Sequence, residues 1–541
     1  MQSFWVYVLI TIVLIGIGIG YSVYDSIQLK RKIKTLFNKQ TTLFRQKGNH
    51  IMFDHYYKHI SKSEPRCIDD ITWNDLSMDQ LFQRINYHFT SVGEEYTYTL
   101  LRNFPGHNVE ELIMNNVTED VAYREKLSFI LAKLGRNANN DASQFTVHYQ
   151  KKERYNKLMI LVSFLPILSL VMFYFGVSIG IFSVIVAMGF VMGLSAKFQS
   201  QSELVYNDLF YAIKVIDTAN EIMKLNGHKS NISKMKSVKW MSYFMLNDDK
   251  NEGNIALTMI NAMKQMFLID YHLYHRALAI LHKHQEDFAT YFKVVGQADA
   301  SYSTALWRTT LPYYAIPEVA EGKKLEAEEV YHPLLDRAVA NDFNYAHSVL
   351  LTGSNASGKS TFMKTMAINL VMAQGLSTST SERFVYQPGI VATSMNLEDS
   401  LAKGDSYFIA EIKSVKRLIE VLKLALPTYI FIDEILRGTN TKERIASATA
   451  ILDYLNLHQN SLLFAATHDI ELTEILTDFD FYYFKETLTE DNDITFDYTI
   501  RKGVTTTSNA IELMRIHNYP ESIYNNAKSQ LKQLKQLNME A

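Results

Sequence analysis

Cys67 is the only cysteine in 541 residues. No intrachain disulfide and no cysteine-based zinc site can therefore form, which fits a cytosolic setting for the bulk of the chain. Positive charge is not in excess either: 54 Lys and Arg face 57 Asp and Glu, a formal net charge of −3. Proteins that wrap DNA mainly by neutralising phosphates are usually basic, so the totals give no support for strong non-specific DNA binding. They leave room for a local basic surface. No internal repeat or low-complexity segment stands out, and the length predicts two to three domains.

Charge is missing altogether from two stretches. From Met1 to Tyr24 no side chain is charged, and roughly 20 apolar residues suffice to cross the hydrocarbon core of a bilayer. A signal peptide would begin with Lys or Arg and end in a small-residue cleavage site. Neither is present, so the stretch reads as a retained anchor, residues 1–25. Lys30, Arg31, Lys32 and Lys34 follow it and place the next segment in the cytoplasm by the positive-inside rule. The second uncharged stretch lies between Lys157 and Lys197. With Gly176 and Gly180 near its middle, it predicts a transmembrane hairpin, residues 156–197, with helices over Leu158–Phe175 and Ile181–Leu194. Both flanks are basic, so three spans with the N-terminus outside satisfy the rule, and the chain is expected to be a multi-pass cell-membrane protein in contact with lipid.

Residues 26–155 and 198–325 read as two parts of one helical domain. In the second part Leu204, Leu209 and Ile213, then Leu257, Ile260, Met263 and Phe267, recur near the helical period. His272, His275, His282 and His284 fall here and read as ordinary helix-surface histidines, because no carboxylate completes a ligand set. From about Ala327 short β-branched or aromatic runs alternate with helical ones. That texture describes a mostly parallel sheet with helices on both faces, an α/β domain over residues 326–541.

The chemistry concentrates in that last domain. Ser348–Thr352 is an apolar strand, followed by Gly353, Ser354, Asn355, Ala356, Ser357, Gly358, Lys359, Ser360 and Thr361 and then a helical run. This is the phosphate-cradling loop in its required strand–loop–helix context. The glycines let backbone N–H groups turn toward phosphate oxygens, and the helix N-terminus adds favourable dipole charge. Lys359 is the expected partner of the β- and γ-phosphates of ATP, and the Ser360 hydroxyl of Mg²⁺. The strand Tyr429–Ile432 ends in Asp433 and Glu434. Asp433 is expected in the Mg²⁺ shell, and Glu434 to orient or deprotonate the attacking water, which makes the domain an ATPase. A third strand, Ser461–Thr467, ends at His468, one strand over from the carboxylates and placed to contact the γ-phosphate or the water.

With those residues in hand, the C-terminal region resembles the ATPase domain of the MutS family of DNA mismatch-recognition proteins. Tyr331-His332-Pro333 resembles the family's Arg-His-Pro segment, Asn341-Asp342 its Asn-Asp pair, and Asp433-Glu434-Ile435-Leu436-Arg437-Gly438-Thr439-Asn440-Thr441 its Asp-Glu-x-x-Arg-Gly-Thr-x-Thr. Ala466-Thr467-His468 with Glu471-Leu472, and Leu401-Ala402-x-Gly404-x-Ser406-x-Phe408-x-x-Glu411, match two further motifs. The segment 505–527 resembles the family's closing dimerisation segment. More loosely, Thr90-Ser91-Val92-Gly93 resembles the start of its core domain. The resemblance implies an ABC/MutS-type P-loop fold preceded by an all-α core and lever domain. It also implies a homodimer through the ATPase domains, with Ser406 reaching the ATP of the opposite subunit.

Three departures stand beside these matches. No Phe-x-Glu wedge occurs in the N-terminal half, where the family reads mismatches, and the chain leaves no room for that domain. Phe484-Lys485-Glu486 has the spelling but lies inside the ATPase domain and reads as structural. Asp405 replaces the usual Arg of the trans-acting loop, and Ala338 an aromatic that stacks on adenine, with Phe343 or Tyr345 as substitutes. The resemblance thus implies a membrane-anchored MutS-like ATPase of the mismatch-repair type whose helices clasp a ligand, DNA being the family's candidate. The alternative is an ATP-gated membrane scaffold or remodelling protein without nucleic acid. An ABC-type transporter is disfavoured by the Arg-Gly-Thr motif.

Overall fold

The computed structural model describes residues 20, 23–40, 54–60, 68–102, 109–137, 141–147, 155–175, 180–228, 235, 238, 241, 255–354, 357–395, 407–488, 494–504, 511, 514–515 and 519–540. Residues 1–19 and 21–22 of the expected anchor 1–25, Asn355, Ala356, Asp405, Ser406 and residues 505–510 lie outside them. Two compact units emerge. One comprises residues 1–65, 86–99 and 109–310, the other 66–85, 100–108 and 311–541. Residues 68–85 and 100–102, read from sequence as helical core, thus pack with the α/β part.

The first unit is helical: α1 His55–Ile60, most of α4 Ser91–Arg102, α5 Glu111–Glu119, α6 Val121–Leu134, α7 Leu158–Ser163, α8 Leu165–Tyr174, α9 Gly180–Leu225, α10 Ile255–Met266, α11 Ile269–Lys283 and α12 Gln285–Arg308. Its core forms where α9 meets α12, around Leu209, Ile213, Ile216, Phe292 and Val295, all buried. Asp299 on α12 is fully buried and accepts hydrogen bonds from Phe89 N (3.0 Å), Thr90 N (2.8 Å) and Thr90 Oγ1 (2.6 Å). It thereby satisfies N–H groups where α4 begins that the helix itself leaves orphaned. Gly93 has to be glycine, because a Cβ there would stand 2.2 Å from Asp299 Oδ2. The Thr-Ser-Val-Gly signature therefore marks a helix start docked on a buried carboxylate.

The apolar hairpin differs in two respects from the sequence expectation. Its first arm breaks between α7 and α8, where Pro166 occupies the first turn of α8 and can supply no N–H to continue the preceding ladder. Its second arm does not stop at Leu194. It continues as one 46-residue helix to Leu225, about 70 Å long at 1.5 Å per residue, because neither Gly nor Pro interrupts residues 194–225. Among the described residues one helix, Phe182–Ser200, is long and apolar enough to cross a membrane, and only 17% of that window is buried. Leu158–Tyr174 is apolar but shorter. His272, expected on a helix surface, is half-buried and engaged at both ring nitrogens, by Tyr155 Oη (3.0 Å) and Ser163 Oγ (2.7 Å).

Among its described residues the second unit holds α2 Asp70–Asp75, α3 Met78–Ile85, ten strands, α13 Lys359–Leu376, α14 Tyr407–Leu422, α15 Thr441–Asn456, α16 Leu472–Ile475 and α17 Glu521–Glu540. A small sheet runs in the order β1 (Glu318–Val319), β5 (Arg383–Tyr386), β2 (Leu325–Val330), β3 (Asn341–Asn344). The main sheet runs β10 (Ile494–Lys502), β9 (Phe479–Leu488), β4 (Ser348–Thr352), β8 (Ser461–Ala466), β7 (Thr428–Asp433), β6 (Ile390–Ser394). All neighbours in it are parallel except β10, which pairs antiparallel with β9. β4 and β8 are buried along their whole length, as unbroken apolar runs require in a parallel sheet covered on both faces. Leu350, Ile430, Leu463 and Leu452 of α15 share one core, and each such side chain stabilises the fold by about 2 kcal/mol.

Residues 68–85 are integral to this unit. Asp75, 2% exposed, accepts from Thr393 Oγ1 (2.6 Å) and Met395 N (3.0 Å) at the end of β6. Arg417 of α14 bonds the Asp69 carboxylate and the Thr393 carbonyl. Helix α2 thus clamps β6 to α14.

Candidate nucleotide site

Three strand ends converge. In the β4–β8–β7 register, Leu351 and Asp433 both lie opposite Ala466, on either side of it. The loop after β4, the carboxylates after β7 and the histidine after β8 therefore share one edge, about two strand spacings or 10 Å wide. Backbone bonds lock the edge: Thr467 N donates to Leu351 O (3.0 Å) and Glu434 N to Ala466 O (2.9 Å). Ligands of open α/β sheets gather at such carboxyl ends.

The loop itself turns on glycine. Gly353 (φ +143°) and Gly358 (φ +114°) occupy conformations that an L side chain rarely adopts. Gly358 also caps α13, an 18-residue helix, whose N-terminal end favours an anion. Lys359, 4% exposed, is the first residue of that helix and donates to the carbonyls of Gly353 and Ser354, both at 2.8 Å. Ser360 is half-buried and Thr361 exposed on the same turn.

Glu434 has φ +56° and Leu436 +55°, which places two non-glycine residues in the left-handed region within one loop. Such strain costs on the order of 1–3 kcal/mol per residue and concentrates at functional sites. It is held by its surroundings. His468 Nε2 lies 2.8 Å from Glu434 Oε1, and Arg437 pairs with the other carboxylate oxygen. Burial pushes the Glu434 carboxyl upward, but the His468 hydrogen bond and the charges of His468, Arg437 and Lys359 outweigh it, so the group sits below the ordinary carboxylate range. At neutral pH it is an anion, as a base must be.

The residues present fit ATP and Mg²⁺. Asp433 Oδ1 and Ser357 Oγ are buried with no hydrogen-bond partner among the described residues, although buried polar atoms almost always have one. A carboxylate oxygen so placed beside a phosphate-type loop is suited to a hydrated divalent cation.

The adenine contact is where sequence reasoning and structure part. Phe343 and Tyr345 cannot offer a face to adenine, because both are core. Phe343 packs on Phe362, Phe464 and Tyr482, and the Tyr345 hydroxyl accepts from Leu463 N (3.2 Å). A half-exposed ring beside the loop is Tyr498, at φ +53° and 45% exposed. Its edge is 3.2 Å from where a Cβ of Gly358 would stand. Its position follows from the irregular β9–β10 register between Phe496 and Ile500, which no sequence pattern announces. Asn341, of the Asn-Asp pair, ties β3 to that irregular stretch, donating to Tyr498 O (3.1 Å) and accepting from Ile500 N (2.8 Å). Phe484 is buried and packs on Phe362, the structural role expected for it.

Residues 349–535 match the family profile described as MutS domain V. The chain is similar to the DNA mismatch repair protein MutS of Fusobacterium nucleatum, 31% identical over 233 residues, which are 41% of this chain and 26% of that protein. It is similar as well to MutS of Thermotoga petrophila, 31% over 255 residues, 45% of this chain and 32% of the relative. The DNA mismatch repair protein msh3 of Aspergillus terreus is 30% identical over 244 residues, 42% and 22% of the two chains. The similarity thus spans about a fifth to a third of the length of these relatives. Over its C-terminal part the chain is similar to these proteins, and that part has mixed α/β content.

Proposed function

We propose that this chain is a MutS-family ATPase tethered to a membrane, in which ATP binding and hydrolysis drive closure of a homodimer. The observation that carries the reading is the convergence of Lys359, Asp433, Glu434 and His468 on one sheet edge. ATP would lie with its phosphates against the loop amides and Lys359, its adenine against Tyr498. Mg²⁺, held by Ser360 and Asp433, would supply charge neutralisation on the phosphates when bound. The ionised Glu434 accepts the proton of the attacking water, and His468 keeps that carboxylate aimed. Lys359 has to exchange two carbonyls for phosphate oxygens. Ser406 of a second copy, in keeping with the family resemblance, would complete each site in trans.

The tether rests on the exposed apolar arms, where Leu161, Phe164, Phe182, Ile185 and Phe190 are all more than half exposed. Contiguous apolar surface on that scale marks a membrane or protein contact. The ATPase domain would then lie on the cytoplasmic side of a cell membrane. DNA is the ligand that the relatives' names suggest. The net charge of −3 favours a second reading, an ATP-gated membrane scaffold without nucleic acid.

Phosphate release by the detergent-solubilised full-length protein tests the ATPase. Lys359→Ala should abolish it, and normal turnover by that variant would refute the site. Glu434→Gln should bind ATP yet turn over at least about a hundredfold more slowly, and unchanged turnover would remove Glu434 from its role. Release of the chain from membranes by a carbonate wash would overturn the tether. Duplex binding with a steep salt slope would separate the two ligand readings.

A further inference from the structure

Glu411 lies on α14, in neither the phosphate loop nor the carboxylate strand, and it is 5% exposed. Its two carboxylate oxygens accept the backbone N–H groups of Arg437 (2.9 Å) and Gly438 (3.1 Å). Those amides belong to the short loop that begins with Glu434. The loop is strained at Glu434 and Leu436, and β7 itself ends at Asp433, one residue before the bond from Glu434 N to Ala466 O (2.9 Å). Gly438 is also pressed onto the first turn of α14, where a Cβ would meet Phe408 Cβ at 2.9 Å. Helix α14 is fixed further along, through Ser414 Oγ to Ser394 Oγ (2.8 Å) and through Arg417 to Asp69. A rigid helix thus holds a strained loop by a buried, charge-assisted clasp, an arrangement that keeps a left-handed glutamate from relaxing.

We infer that Glu411 is a positioning residue for hydrolysis: its clasp on the Arg437 and Gly438 amides sets the backbone from which Glu434 reaches the attacking water. The inference rests on the ATPase reading and deepens it. Glu411 touches no reacting atom, and its contribution passes entirely through Glu434. Removing it should lower turnover without altering how tightly ATP is held, because Lys359 and the loop after β4 do not depend on this clasp.

The test is a double-mutant cycle on the detergent-solubilised full-length protein, with turnover measured by phosphate release and ATP affinity by titration with a fluorescent ATP analogue. Glu411→Ala should lower kcat about tenfold to a hundredfold, the scale of a misplacement of about 1 Å, with affinity changed less than about threefold. In the Glu434→Gln background the same substitution should cost nothing further. Turnover within twofold of the parent overturns the inference, and so does an undiminished loss in the Glu434→Gln background. Should Glu411→Ala lose ATP binding through misfolding, Glu411→Gln decides. It keeps one acceptor and turns an amide N–H₂ toward the other backbone donor, so kcat should fall severalfold at unchanged affinity. A Gln variant equal to the parent overturns the inference. Absence of turnover in the parent protein itself, by contrast, would refute the ATPase reading.

Discussion

Mild acid should loosen the α/β unit through one side chain, His332. It is 9% exposed, and its Nδ1 accepts the Leu334 N–H at 3.2 Å, which requires the neutral ring. Burial, then the charges of Lys364 and Arg84, lower its pKa from 6.5 to about 4. In the unfolded chain the ring gains its proton near pH 6.5, in the folded unit only near 4. Between those values the unfolded state binds more protons, so stability is fully present above about pH 6.5 and is lost as pH falls toward 4. At pH 5 the loss from this group is about 2 kcal/mol, approaching about 3 kcal/mol at pH 4. His332→Asn keeps an acceptor for Leu334 and cannot take up a proton. Thermal unfolding of parent and variant, followed by intrinsic fluorescence in one detergent at pH 8 and pH 5, measures the difference. At roughly 2–4 °C per kcal/mol for a unit of this size, the gap in Tm between the two proteins should change by about 4–8 °C. Curves that run parallel across this pH range would refute the assignment.

Gly93→Ala should destabilise the helical unit by about 3 kcal/mol or more, since its Cβ would fall on the buried Asp299 carboxylate and undo an α4 start. Denaturation of that unit within a few tenths of a kcal/mol of the parent would contradict the packing. Tyr498→Ala should raise KM for ATP about tenfold with kcat nearly unchanged, because it removes base contact and not chemistry. An unaltered KM would dismiss the ring. His468→Ala should shift the acid limb of the kcat/KM profile to higher pH, since the hydrogen bond that holds Glu434 below the ordinary carboxylate range is lost. An acid limb that stays in place would mean that Glu434 does not depend on this bond.

Much of the site was legible in the chain itself. Gly353 to Thr361, Asp433-Glu434 and His468 were readable because phosphate-binding loops and strand-end carboxylates are local: a few consecutive residues carry both backbone geometry and chemistry. The alternation of apolar strands and helices likewise announced a parallel sheet. The apolar hairpin was visible by its lack of charge, although its second arm runs on as α9, since nothing in residues 194–225 breaks a helix.

What tertiary structure decided is whatever joins residues far apart in sequence. Asp299 holds Thr90 across some two hundred positions, Asp75 closes on Thr393, and Glu411 grips a loop that starts twenty-odd residues later. Asp299 and Asp75 have no local pattern, and the motif that ends in Glu411 does not announce its partners, because each carboxylate is defined by the amides or hydroxyls it meets after folding. The same reason explains the aromatics. Phe343 and Tyr345 looked available and are core, whereas Tyr498 reaches the loop only through an irregular β9–β10 pairing. Local chemistry follows from spelling, and partnership between distant groups follows from packing.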